Sequence, residues 1–181
     1  MSLITNENFK WFLVRDNFLS PKECDKLIES FNKEKKNISE DDEFKKLKNK
    51  SNLVVEDKEL LDKLWNVIKL SNDLVYKFDI SGIQISCGKS YSVDTYKEEE
   101  HAHVDFAPGP GRSVDTTTKL TAVVFLNDDY EGGELQVLGD KIPSEKGRLV
   151  IFPSFAAHKV LQFTKADRHM LISFAQGNTF K

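Results

Sequence analysis

The feature that most constrains this chain is a change of periodicity near residue 80. Before it, apolar residues recur at helical spacing. After it they fall in short stretches divided by turn-prone residues. Candidate strands cover 83–87, 91–96, 101–106, 119–126, 134–137, 148–152, 158–163 and 168–175. Cys87-Gly88-Lys89, Asn127-Asp128-Asp129, Glu131-Gly132-Gly133 and 143–147 are the expected turns. Strands that do not alternate with helices must pair with one another. The expected fold is therefore mainly β with flanking helices, a double-sheet jelly roll packed on N-terminal α-helices.

The helical part has its own signals. An apolar-rich entry, 11–18, reads as a strand. Ser20, Pro21 and Glu23 then stand where an N-cap, a first helical residue and a capping-box acid belong. Cys24, Leu27, Ile28 and Phe31 follow at i, i+3, i+4 and i+7, which predicts a helix ending near Lys33. Residues 33–50 are mostly Lys, Glu, Asp and Asn and read as a solvated connection. Asp57 opens a second helix whose buried stripe is Leu60, Leu61, Leu64, Trp65 and Ile68, ending between Asn72 and Lys77.

The chain has 181 residues, enough for one domain with a self-sufficient core. The expectation is a single unit over 1–181, with a helical flank at about 1–80 and a jelly-roll core at about 81–176. A net charge of −3 from 26 basic and 29 acidic residues gives no reason to expect a nucleic-acid or anionic-membrane partner. Two cysteines, Cys24 and Cys87, make no disulfide framework and match no zinc spacing. With no secretory pattern at the N-terminus and no apolar run long enough for a membrane span, a cytoplasmic location is expected.

Four histidines are present: His101, His103, His158 and His169. His103 and Asp105 are two apart, so on a strand both project from one face and can serve one ion. Such a triplet alone is weak. His158 follows 53 residues later, after the apolar segment 149–153, and Arg168 comes ten after that. Two histidines and a carboxylate with open positions suit non-haem Fe(II). A guanidinium matches a carboxylate in two-point contact.

The order His103-x-Asp105, His158, Arg168 resembles the 2-oxoglutarate/Fe(II)-dependent oxygenases, and further motifs resemble their prolyl 4-hydroxylase-like branch. Those motifs are the run 17–24 before the first helix, the strand–turn–strand run 125–135, and 147–153 before the distal histidine. The resemblance runs from about Phe12 to Phe174. It implies a double-stranded β-helix with iron between its sheets. It also implies a hydroxylase that consumes 2-oxoglutarate and O2 and releases succinate and CO2, and it allows ascorbate as an accessory. By position it makes His103, Asp105 and His158 the iron ligands and Arg168 the clamp on the cosubstrate's distal carboxylate. Tyr96 and Thr121 are the further candidates for cosubstrate binding.

The implied substrate is a peptide or small molecule, with peptidyl proline the leading expectation. Another amino-acid side chain or a metabolite is the alternative. A catalytically silent jelly-roll binding module and a cupin-like metalloenzyme without 2-oxoglutarate are the rivals from other classes. His101 reads as a rim residue, and His169, beside Arg168, is expected on the opposite strand face. The acidic run from Asn127 to Glu131 reads as a turn because it lacks the EF-hand spacing. The segment 107–118 reads equally as a loose loop or as a lid over the substrate mouth.

Overall fold

The computed structural model describes residues 11–37, 51–94, 101–106 and 116–179. The chain opens with a short strand, β1 (Leu13–Arg15), and the helix α1 (Pro21–Asn37). Ser20 and Glu23 form the expected reciprocal cap: the Ser20 N–H donates to the Glu23 carboxylate at 2.7 Å, and the Glu23 N–H donates to the Ser20 hydroxyl at 3.3 Å. The helix runs four residues past Lys33, because nothing in the lysine-rich stretch breaks it. Then come β2 (Ser51–Val54) and α2 (Lys58–Ser71), the latter capped by Asp57, whose carboxylate accepts from the Leu60 N–H at 3.0 Å. A single π-type turn, Asn72–Tyr76, ends it at Lys77, which takes a left-handed φ of 54°.

Nine further strands follow among the described residues: β3 (Gly82–Tyr91), β4 (Thr116–Phe125), β5 (Glu131–Gly132), β6 (Leu135–Val137), β7 (Asp140–Ile142), β8 (Leu149–Pro153), β9 (His158–Val160), β10 (Phe163–Thr164) and β11 (Arg168–Asn178). Six strands form one antiparallel sheet in the order β1-β8-β4-β11-β3-β2. Opposite it lie β7-β6-β9 and the pair β10-β5.

Alternation along the large sheet divides the core. Leu120, Ala122 and Val124 of β4 pack with Cys24, Phe31, Leu64 and Ile68 of the helices. Val123 and Phe125 face the other way, joining Tyr91, Leu135, Val137, Phe152 and Ile172 between the sheets. Burying each such side chain contributes roughly 1.5–3 kcal/mol, so both layers are stabilised by the same period-two pattern.

Four expectations about local structure need correction. Glu131-Gly132 forms strand β5 instead of lying in a turn, because it pairs with β10. Of the expected strand 91–96, only Tyr91 is in a strand among the described residues, as the last residue of β3. Cys87-Gly88-Lys89 is not a turn. Strand β3 passes straight through it, and Gly88 is there for space: a Cβ on it would stand 2.2 Å from the Phe31 ring of α1. The expected strand at 101–106 is reduced to one bridge, His103 with His158. Strands β2 and β7 were not expected at all. The lid segment (107–115) and most of the charged connection (38–50) lie outside the described residues.

Candidate active site

The bridge that replaces a full strand sets the site. His103 and His158 exchange backbone hydrogen bonds, each 2.9 Å, and the Asp105 N–H donates to the Ser154 carbonyl at 2.8 Å. These bonds pin a short segment across the open end of β9. Asp105 and His103 thus face the space between the sheets beside His158, and the ligand atoms of all three lie within 4.8 Å of one another.

The imidazoles are pre-oriented. The His103 Nδ1–H donates to the His101 carbonyl at 3.1 Å and the His158 Nδ1–H to the Ala156 carbonyl at 3.0 Å. Both Nε2 atoms are left as lone-pair donors, 3.8 Å and 3.3 Å from the Asp105 carboxylate. Ligands bound at about 2.1 Å in right-angle positions sit about 3 Å apart, so a small contraction closes this set on one ion. Thr121 holds the carboxylate. Its hydroxyl donates to Asp105 Oδ2 at 2.8 Å and accepts from the buried Ser154 hydroxyl at 3.0 Å. Thr121, a candidate for cosubstrate binding, therefore touches the carboxylate of the triad.

Arg168 is fully buried at the start of β11. Its Nε–H donates to the Gly133 carbonyl at 3.1 Å, and Nη1 approaches the Met170 sulfur at 3.5 Å. The rings of Tyr91, Phe125 and Tyr130 surround it at 5.4–5.9 Å. Among the described residues its Nη2 is buried with no partner, as is the Tyr130 hydroxyl. A buried donor without an acceptor is costly. An orphaned guanidinium nitrogen fits a ligand carboxylate that completes it.

Tyr96 lies outside the described residues. Tyr91 stands directly across from Arg168 in the β3–β11 register and is 1% exposed, so it flanks the guanidinium together with Tyr130. Sequence reasoning missed it because the partner strand was not known. His101 is exposed and outside the triad. His169 bonds Ser90 at 2.8 Å on the face away from Arg168. Asn127 is a structural tie: its amide bonds Asp129 and the Asp167 carbonyl, and its oxygen accepts from the His169 N–H at 2.7 Å.

The cleft beside the triad is also lined by Lys89, Tyr91, Val123, Leu135, Val160, Met170, Ile172 and Phe174. It is narrow, about 30 Å³, so a dicarboxylate enters only if flexible side chains such as Lys89 and Met170 turn aside. A larger cavity of about 680 Å³ lies between α1, β2 and α2. Among the described residues its lining brings together no group of candidate metal ligands, whereas the smaller cleft holds all three.

Two imidazoles and a carboxylate converge inside a jelly roll with a buried arginine behind them, a donor set of the kind that suits non-haem iron. Residues 91–176 match the model of the 2OG-Fe(II) oxygenase superfamily. It is 28% identical over 134 residues to a PKHD-type hydroxylase of Prochlorococcus marinus (strain MIT 9215), covering 64% of this chain and 57% of that protein. A PKHD-type hydroxylase of Alteromonas mediterranea is 32% identical over 82 residues, 41% of this chain and 36% of that protein. This chain thus matches less than two thirds of either relative's length.

The viral collagen prolyl hydroxylase of Paramecium bursaria chlorella virus-1, solved with 2-oxoglutarate, superposes with a TM-score of 0.68 at 19% identity, covering 95% of this chain and 97% of that one. A Pseudomonas putida prolyl-4-hydroxylase also gives 0.68, at 16% identity, covering 93% and 94%. These likenesses establish the jelly-roll fold.

Proposed function

We propose that this chain is an Fe(II)- and 2-oxoglutarate-dependent hydroxylase, with peptidyl proline as the leading substrate. The observation that carries the reading is the pairing of a pre-oriented His103–Asp105–His158 triad with a buried, incompletely bonded Arg168. The prolyl hydroxylases among the similar structures and the PKHD-type relatives support the substrate class.

When bound, iron and 2-oxoglutarate supply oxidative decarboxylation coupled to hydroxylation of a substrate C–H, consuming O2 and releasing succinate and CO2. Ascorbate would serve as an accessory reductant. The chain's own residues supply placement. His103 and His158 present Nε2 because their Nδ1 protons are committed to backbone carbonyls. Asp105 completes the ligand set, held by Thr121. Arg168, flanked by Tyr91, takes the distal carboxylate of the cosubstrate at Nη2. Val123, Val160, Ile172 and Phe174 keep the cleft apolar and limit water.

We read the helical flank and the jelly roll as one unit, on the support of the core the helices share with β4. No described helix is long and apolar enough to cross a membrane. Cys24 and Cys87, both free and buried, suit a reducing cytoplasm.

The test is anaerobic loading with Fe(II) and 2-oxoglutarate, then aeration with a panel of proline peptides, amino acids and metabolites. The expected result is substrate-stimulated succinate release with one oxygen atom added to a proline peptide. Succinate release stimulated only by a non-proline compound would move the substrate. Failure to bind the metal and cosubstrate would reject the enzyme.

A further inference from the structure

The cleft holds a charged side chain that the proposed reaction does not use. On β3, Ser86, Gly88 and Ser90 face the helical side. There Gly88 meets Phe31, Ser86 bonds Ser173, and Ser90 bonds His169. Cys87, Lys89 and Tyr91 face the space between the sheets, opposite Ile172, Met170 and Arg168 of β11. Lys89 therefore stands in the row next to the Arg168–Tyr91 pair and lines the cleft together with His103, Asp105 and Thr121.

It is half-buried, and among the described residues it has no hydrogen-bond or ion-pair partner. A half-buried ammonium with no bonded partner in a narrow cleft is a costly arrangement unless something else supplies the anion.

Charge accounting says what that anion is. Among the described residues, the only acid lining the cleft is Asp105. In the loaded site a divalent cation, the Asp105 carboxylate, the Arg168 guanidinium and the cosubstrate dianion sum to zero. Lys89 leaves one positive charge over, in a place where low dielectric strengthens its field.

We propose that Lys89 is a specificity residue that selects a substrate bearing an anionic group, a carboxylate close to the C–H that is hydroxylated. The inference rests on the oxygenase reading of the site and adds to it the charge of the substrate. Substrates with a neutral or cationic neighbour at that point are disfavoured, because they leave Lys89 desolvated and unpaired.

The experiment uses the full chain loaded with Mn(II), a redox-inert stand-in for iron, and 2-oxoglutarate. Equilibrium binding is measured for matched proline peptides with Glu, Gln or Lys beside the proline, and for free amino acids of each charge. The wild type is expected to bind the acidic member of a set about tenfold more tightly than its amide counterpart. Lys89→Met should erase that preference, Lys89→Arg should keep it, and Lys89→Glu should turn it toward the Lys peptide.

Equal binding of all charges by the wild type, including no binding of any member, overturns the proposal. So does an acid preference that survives Lys89→Met. A tenfold loss of 2-oxoglutarate affinity in Lys89→Met, with the acid preference intact, would make Lys89 a cosubstrate clamp instead. Mn(II) and 2-oxoglutarate affinities of the same samples read the site itself. Their absence in the wild type would remove the oxygenase reading and this inference with it, whereas their presence without charge selection removes this inference alone.

Discussion

Replacing Arg168 by Met should cost the protein its cosubstrate and little or none of its stability. The magnitude follows from what the guanidinium touches. Its Nη2 is a buried donor without an acceptor, which costs about 1–3 kcal/mol, and desolvating the charge costs several more. Against this stand three ring contacts at 5.4–5.9 Å, close to the outer limit of about 6 Å for an attraction of roughly 0.5–2 kcal/mol. The Gly133 carbonyl would lose the Arg168 Nε–H but keep the Ser144 hydroxyl at 3.3 Å. A methionine fills much of the same space without a charge.

Without ligand, the variant should therefore be between unchanged and about 2 kcal/mol more stable than the wild type, or about 2–4 °C in Tm for each kcal/mol. With 2-oxoglutarate at a hundred times its Kd, the Mn(II)-loaded wild type should gain about 2.7 kcal/mol and the variant nothing. Urea unfolding with and without the cosubstrate measures both. A ligand-free loss beyond about 2 kcal/mol would make Arg168 a structural residue. A variant still stabilised by 2-oxoglutarate would place the clamp elsewhere.

Thr121→Val removes the donor to Asp105 while nearly keeping shape, so metal affinity should fall roughly 10–100-fold. Metal titration by competition with a chelator reads this, and an unchanged affinity would show that the hydroxyl does not orient the ligand. Gly88→Ala puts a methyl 2.2 Å from the Phe31 ring and should destabilise the fold by about 1–3 kcal/mol in urea; Phe31→Leu in the same chain should restore part of the loss. The backbone and side-chain bonds of Ser20, then Lys63, hold the Glu23 carboxyl down at about 2. Its folded pKa is depressed, so its contribution is present above the unfolded carboxylate range of about 4.3 and is lost as pH falls toward about 2. Glu23→Gln should flatten that part of the stability–pH curve, and a curve that keeps its shape would separate the cap from acid sensitivity.

Much of the candidate site was legible before any fold was known, for reasons that particular residues make plain. His103 and Asp105 declare themselves because strand geometry puts i and i+2 on one face. His158 is flagged by its place after the apolar segment 149–153, and Arg168 by standing ten residues further on. Lys89 was not flagged because Gly88 beside it read as a turn, and Tyr91 because which strand faces it is fixed only by the β3–β11 register. Cys87-Gly88-Lys89 misled for a related reason: glycine marks a turn by its backbone freedom, yet here it makes room for an aromatic ring from a distant helix. Strands β2 and β7 have too few apolar residues to signal themselves and exist because a sheet edge was there to pair with.

Periodicity, capping residues and the order of candidate ligand types are local properties, and the chain's sequence alone determined them: two helices, then strands, with a candidate ligand set in a recognisable order. The register of β3 on β11, the single bridge that swings His103 and Asp105 toward His158, and the packing that buries Arg168 with one nitrogen unpaired belong to the tertiary structure. Those features join residues dozens of positions apart. Only closure of the two sheets over a shared core decides which side chains meet there and which charges are left without a partner.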